Sequence, residues 1–164
     1  FISKIFHWLS AAGLLIQIPL GFYLVELDFD EKKLTIENIH VLLGLSIFYL
    51  TLFRLVYKLF NPTPPLSNNV FPGQKLIAKL NHIFLYISIF IISISGVLKK
   101  LFNGENLNLF FLNLEIKDNF NLAELFYDIH IFGNYTLITL ISLHILAVII
   151  HKVLFKENLL KKIL

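Results

Sequence analysis

Cysteine and methionine are both absent from the 164 residues. Without cysteine there are no disulfides, thiolate metal sites, thiol nucleophiles or covalent c-type haem attachments. Without methionine no thioether can ligate a metal. No initiator residue is present either, so the expectation is a chain trimmed at its N-terminus. Charge is scarce as well: Asp, Glu, Lys and Arg make up 15% of the chain, against about 25% in soluble domains. Apolar residues rise to 57%, where about 45–50% is usual, and the mean hydropathy is +0.76. So few charges cannot coat a globule, and so much apolar surface excludes a disordered chain. The setting is a lipid bilayer, into which the sequence brings six histidines.

Apolar stretches of about 18 residues or more are candidate membrane spans. The first, Ile5 to Val25, carries His7, Gln17 and Pro19, and is too long for the apolar region of a cleavable signal peptide. The second runs from Glu37 to Phe60 past Arg54, and Pro62-Thr63-Pro64-Pro65 stops it because proline lacks the amide donor. The third has its uncharged part from Leu80 to Leu98. The fourth is Ile129 to Lys152 with His130, His144 and His151. Helices over about 5–25, 37–60, 77–98 and 124–155 predict an all-α, integral membrane four-helix bundle, up-down-up-down, with residues 1–164 as one transmembrane domain. The long third connection, 99–121, alternates asparagines with Leu109, Phe110, Phe111 and Leu112. It reads as an interfacial segment or a lid, or as a loop resting on headgroups.

Charge sets the orientation. Lys4, Arg54, Lys58, Lys75, Lys79 and the C-terminal lysines put nine basic residues against Glu157 on one side, a net +8. The opposite side holds five basic and ten acidic residues, a net −5. By the positive-inside rule both termini are cytoplasmic. The overall +3 is therefore a topology signal and calls for no nucleic acid.

An ionisable group within a span is costly and marks function by default. With the N-terminus inside, His7 lies at the inner end of the first helix, His40 at the outer end of the second and His130 at the outer end of the fourth. His144 is 14 residues deeper, which is roughly 21 Å and within about 40° of the same helix face. The depths pair His7 with His144 and His40 with His130. Each pair can grip a flat macrocycle from both sides, which is bis-imidazole ligation of haem. Two such haems form an electron path across the bilayer. Zinc is the rival, but two-ligand sites suit it poorly. A proton relay is another, although it lacks intramembrane carboxylates.

His151, one further heptad along, can replace His144 as the partner of His7 or hydrogen-bond a quinone carbonyl. His82 reads as an interfacial residue. Arg54 follows His40 by 14 residues and is a candidate for pairing with haem propionates, or else for snorkelling to headgroups. Gly44 and Gly133 admit either a porphyrin edge or close helix packing.

His7-Trp8, Ile39-His40 with Gly44, Arg54-Leu55, the Pro62–Pro65 turn, and His130, Gly133, Tyr135, His144, His151 followed by Phe155–Asn158 together resemble bacterial cytochrome b561 over about residues 3–160. The resemblance implies a four-helix bundle in the bacterial inner membrane holding two haem b groups. Their ligands would be His7 and His144 (inner) and His40 and His130 (outer). It also implies His151 beside a quinone. Some members of the family are superoxide oxidases, passing electrons from superoxide through the haems to ubiquinone. Studied members carry a serine two residues before the first ligand, where this chain has Ile5.

Lys99 and Lys100, at the outer end of the third helix, are the local attractors for superoxide, on a side that is otherwise net negative. The expected activity is that of an oxidoreductase, a superoxide:ubiquinone oxidoreductase in the membrane. A haem-bearing anchor relaying electrons for a partner dehydrogenase or hydrogenase is the alternative. A non-redox scaffold with structural histidines is the third reading.

Overall fold

The computed structural model describes residues 2–61, 73–109, 112–114 and 116–154. The Pro62–Pro65 turn, Phe110, Phe111 and the segment from Phe155 onward lie outside them. Four helices dominate: α1 Ile2–Glu26, α2 Glu31–Phe60, α3 Gln74–Phe102 and α4 Phe120–Leu154. All four are long and apolar enough to cross a membrane. The fold is an all-α membrane four-helix bundle, with one small hairpin between α3 and α4.

The helices start earlier than apolarity alone indicates, because polar caps add turns beyond the hydrocarbon. Asp30 accepts a hydrogen bond from the Lys33 amide at 2.8 Å and so caps α2. Asn119 does the same for α4 through the Leu122 amide at 3.2 Å. At α3 the chain enters through Gly73, whose φ of 87° favours glycine. Lys99 and Lys100 in the last turn of α3 suit the negative end of its dipole. Pro19 stays within α1, as proline is tolerated in membrane-spanning helices.

Of the connection after α3, Leu107–Leu109 (β1) and Leu112–Leu114 (β2) pair antiparallel, Leu107 against Leu114. Leu107 is buried, and the Asn119 amide donates to the Phe102 carbonyl at 2.9 Å. The connection therefore folds back on the ends of α3 and α4. This end of the bundle is called the hairpin end below, and the other the terminal end.

Packing divides the bundle into two halves, α1 with α2 and α3 with α4, which meet less closely. Ile47, Ile89 and Leu137 form the buried core, with Leu14, Leu43, Leu85, Ile92 and Ile141 packed around them. Ile47 follows His40 by seven residues, Ile89 follows His82 by seven, and Leu137 lies seven from both His130 and His144. Seven residues are about 10 Å of helix, so an apolar plug separates two levels of histidine. Most other large apolar side chains face outward, Leu15, Phe132 and Leu143 among them, as a lipid-facing surface requires.

The hairpin end is tied by charge. Lys100 is 6% exposed and is ion-paired with Glu105 and with Glu37, the latter at 3.8 Å. Lys99 meets the same Glu37 at 3.2 Å. Burial pushes the Glu105 carboxyl up. Hydrogen bonds from Lys100 and Asn103 and the charges of Lys100 and Lys99 outweigh it and hold the group below its usual range.

A carboxylate depressed in this way stabilises the fold above its unfolded pKa and stops doing so as pH falls through the lower folded value. Melting temperature is therefore expected to hold down to about pH 4.3, the ordinary glutamate value, and to fall below it. Glu105→Gln should cost about 2 kcal/mol at pH 7, the worth of a charge-assisted hydrogen bond. It should also flatten the acid limb measured by thermal melts.

Candidate haem sites between the helix pairs

At the hairpin end, His40 from α2 and His130 from α4 face one another with ring centres 6.2 Å apart and planes at 67°. His130 is fixed by a bond from its Nδ1–H to the Ile92 carbonyl at 2.9 Å, which leaves Nε2 for another partner. Two glycines make room for the rings. A Cβ on Gly96 would lie 3.0 Å from the His130 ring, and one on Gly21 would lie 3.1 Å from the His40 ring. Beside the pair opens a cavity of about 600 Å³ between the bundle halves, lined by Gln17, Gly21, Gly44, Ser93 and Asn134, with Lys33, Glu37 and Lys99 toward the hairpin end. That volume lies within the usual range for a cofactor site, about 300–1,000 Å³.

At the terminal end, His7 from α1 and His144 from α4 repeat the arrangement, with ring centres 6.4 Å apart and planes at 64°. A metal–imidazole bond is about 2 Å. A metal held between two imidazoles thus separates the ligating nitrogens by about 4 Å and the ring centres by about 6 Å. Both pairs fit a flat group held through its iron. Neither suits a bare ion: among the described residues no cluster of three or more His, Cys, Asp or Glu could hold one.

A third imidazole joins the terminal-end pair. His82, on α3, is 5.0 Å from His144 in an edge contact, and its Nδ1–H donates to the Ala78 carbonyl at 2.7 Å. Depth alone makes His82 an interfacial residue; packing of α3 on α4 turns it inward. Its spacing from His144 is about 1 Å too short to seat a metal between the rings.

Arg54 lies within electrostatic reach of His7, His82 and His144. With Lys58 it flanks the Tyr86 ring, each cation 5.8 Å from its centre. The Tyr86 hydroxyl is buried, with no hydrogen-bond partner among the described residues. A phenol between two cations is a ready anion site, and only the fold joins Tyr86 to Arg54. His151 is 6% exposed near the end of α4, where the Gln74 side-chain amide donates to its Nε2. His7 has ring contacts with His144 and with Trp8.

The glycines serve packing as well as rings. Gly133 opposes Ile92, which a Cβ would approach to 2.8 Å, and Gly44 opposes Gln17. Of the two lysines expected to attract an anion, Lys100 is sequestered by Glu37 and Glu105, while Lys99 borders the cavity. Gly21 and Gly96 are functional positions that histidine depth does not reveal. Each follows a histidine, His7 and His82, by 14 residues, and that spacing is their signal in the sequence.

Comparison with curated proteins gave no match. The sequence pattern of prokaryotic cytochrome b561 matches residues 1–164. With four apolar helices and two facing histidine pairs, the chain belongs to the prokaryotic cytochrome b561 family, multi-pass bacterial membrane proteins that transfer electrons on haem b.

Proposed function

We propose that the chain holds two haem b groups, one between His7 and His144 and one between His40 and His130. It would carry electrons across the bilayer to a quinone, with superoxide as the donor. The observation carrying this reading is the pair of matched ring spacings, 6.4 and 6.2 Å, on either side of the apolar plug. Haem b, when bound, supplies a one-electron ferric/ferrous couple.

The chain's own residues do the rest. Ile92 fixes the His130 tautomer, Gly21 and Gly96 admit the rings, and Ile47, Ile89 and Leu137 keep water out of the middle. Arg54, with Lys58 and Tyr86, would pair with the propionate carboxylates at the terminal end. The charge asymmetry supports an orientation with both termini in the cytoplasm and the hairpin end outside.

The overall chemistry balances. Two superoxide anions lose one electron each and become dioxygen, while one quinone gains two electrons and two protons to become quinol. His151, held by Gln74, is the group proposed to hydrogen-bond the quinone carbonyl, and Lys99 the one to attract superoxide.

One observation favours a second reading. Lys100 is buried and Lys99 is paired with Glu37, so the outer face offers little positive field to an anion. A face of this kind suits a basic partner protein for which the chain relays electrons.

A reduced-minus-oxidised spectrum with haem stoichiometry, followed by kinetics on the same sample, tests both. Two haems per chain are expected, with quinone reduced on addition of superoxide. Reduction of the haems only after a partner subunit is added selects the relay, and purified protein that binds no haem sinks both readings.

A further inference from the structure

Of the six histidines, His82 alone has no part in the two facing pairs or at the quinone. Its helix, α3, packs closely on α4. His82, Leu85, Ile89, Ile92 and Gly96 recur along α3 at spacings of three and four residues, the repeat that keeps one face of a helix against a neighbour. Their counterparts lie on α4. A Cβ on Gly96 would meet the His130 ring, Ile92 meets Gly133, and Ile89 and Leu85 join Leu137 in the core. His82 ends the row against His144, with ring centres 5.0 Å apart and planes at 78°.

This row gives the α4 member of each histidine pair a neighbour on α3. For His130 the neighbour is the Ile92 carbonyl, which accepts from Nδ1 at 2.9 Å. For His144 it is the imidazole of His82. One ring can hold another only if it is held itself, and His82 is: its Nδ1–H donates to the Ala78 carbonyl, one turn back on α3, at 2.7 Å. An edge contact is a preferred arrangement for two flat rings. The His144 plane stands 64° from that of His7, and turning toward His7 would change the contact with His82.

We infer that His82 is a positioning residue for the terminal-end pair: its ring edge sets the plane of His144 and keeps the His7 and His144 imidazoles steeply crossed. The inference rests on the haem reading, because the angle has a consequence only when both rings share one iron. Steeply crossed axial imidazoles give low-spin ferric haem a highly anisotropic EPR signal, and parallel ones give a rhombic signal whose largest g value is smaller. Groups that orient a ligating histidine from outside also strengthen its hold on the metal. On this account α3 supplies no ligand and yet orients both ligands of α4.

The test is low-temperature EPR of the purified, oxidised, haem-loaded full chain, with the terminal-end signal identified as the one that His7→Ala removes. Wild type is expected to show highly anisotropic signals at both sites, whose planes cross at 64° and 67°. In His82→Ala the terminal-end signal is expected to move to a smaller largest g value, as the freed His144 ring relaxes toward the plane of His7. The His40–His130 signal is the internal control and stays in place. Haem affinity at the terminal end is expected to fall about tenfold, the lower end of the effect of losing an outer partner, read as haem transfer to apomyoglobin. His82→Phe keeps a ring edge against His144 and retains the wild-type signal, whereas His82→Leu fills space without a flat edge and behaves as His82→Ala does. Should His82→Ala fail to fold, His82→Leu against His82→Phe carries the same comparison. A terminal-end signal unmoved in His82→Ala and His82→Leu, or displaced equally in His82→Phe, overturns the role of the ring edge and leaves the haem pairing intact. So does a wild-type terminal-end signal of the parallel type. Loss of that haem in all three variants makes His82 a ligand and overturns the positioning role. A haem-free wild type overturns the haem reading itself.

Discussion

His144→Ala is expected to lower the haem content from two per chain to one, with the remaining haem low-spin and bis-histidine. The reason is geometric. The His144 ring lies opposite His7 at 6.4 Å, and the neighbouring His82 is an edge-on companion of His144 itself at 5.0 Å. With His144 removed, His7 has no imidazole facing it at the spacing that an iron between two rings requires, about 6 Å. His7→Ala should give the same loss. His82→Ala should keep both haems, because His82 lies beside the pair and does not complete it. The measurement is pyridine haemochrome stoichiometry with the low-temperature spectrum of each variant. Retention of two low-spin haems by His144→Ala would contradict the pairing, and loss of one haem in His82→Ala would promote His82 to a ligand.

The second large effect is expected from Gly96→Val, which should remove the other haem while sparing the first. A Cβ at Gly96 already lies 3.0 Å from two atoms of the His130 ring, and the branched methyls of valine extend further into the same space. The ring has to turn, and turning breaks its bond to the Ile92 carbonyl, the contact that leaves Nε2 free. Loss of such support alone costs about 10–100-fold in metal affinity, and displacement of the ring costs more.

Gly133→Ala is the matched control. Its Cβ would meet the Ile92 side chain at 2.8 Å, an overpacking cost of about 1–3 kcal/mol. The better helix propensity of alanine offsets about 1 kcal/mol of that. Gly133→Ala is therefore expected to melt slightly earlier with both haems in place, and Gly96→Val to keep one haem. Equal haem content in the two variants would show that Gly96 is a packing glycine as Gly133 is.

The four spans were legible because hydrocarbon tolerates so few charges, and a run such as Ile129 to Lys152 has little else it can be. The two pairings were legible because the positions of His7, His40, His130 and His144 in their spans convert directly into depth, and up-down connectivity matches depths across helices. The ends of the helices were less so. Asp30 and Asn119 add turns through capping bonds that apolarity does not register.

Depth carries little information about rotation around a helix axis. His82 has a depth compatible with a headgroup-facing residue, and only the packing of α3 on α4 turns it toward His144. Lys99 and Lys100 are equivalent in sequence, yet successive residues on a helix point about 100° apart. One borders the cavity, and the other is buried against Glu37 and Glu105.

The lack of cysteine and methionine, the low charge and the spacing of the histidines by themselves determined a membrane bundle with histidines at two levels. Composition and axial position follow from covalent order and the cost of charge in lipid, and neither needs a partner helix to be defined. What touches what was decided by the tertiary structure: the rings at 6.2 and 6.4 Å, the glycines that admit them, and the Gln17 amide beside His40. Those contacts depend on how far each helix rotates and how closely each pair approaches. Side chains on two separate helices settle that jointly, and the linear order of one chain does not encode it locally.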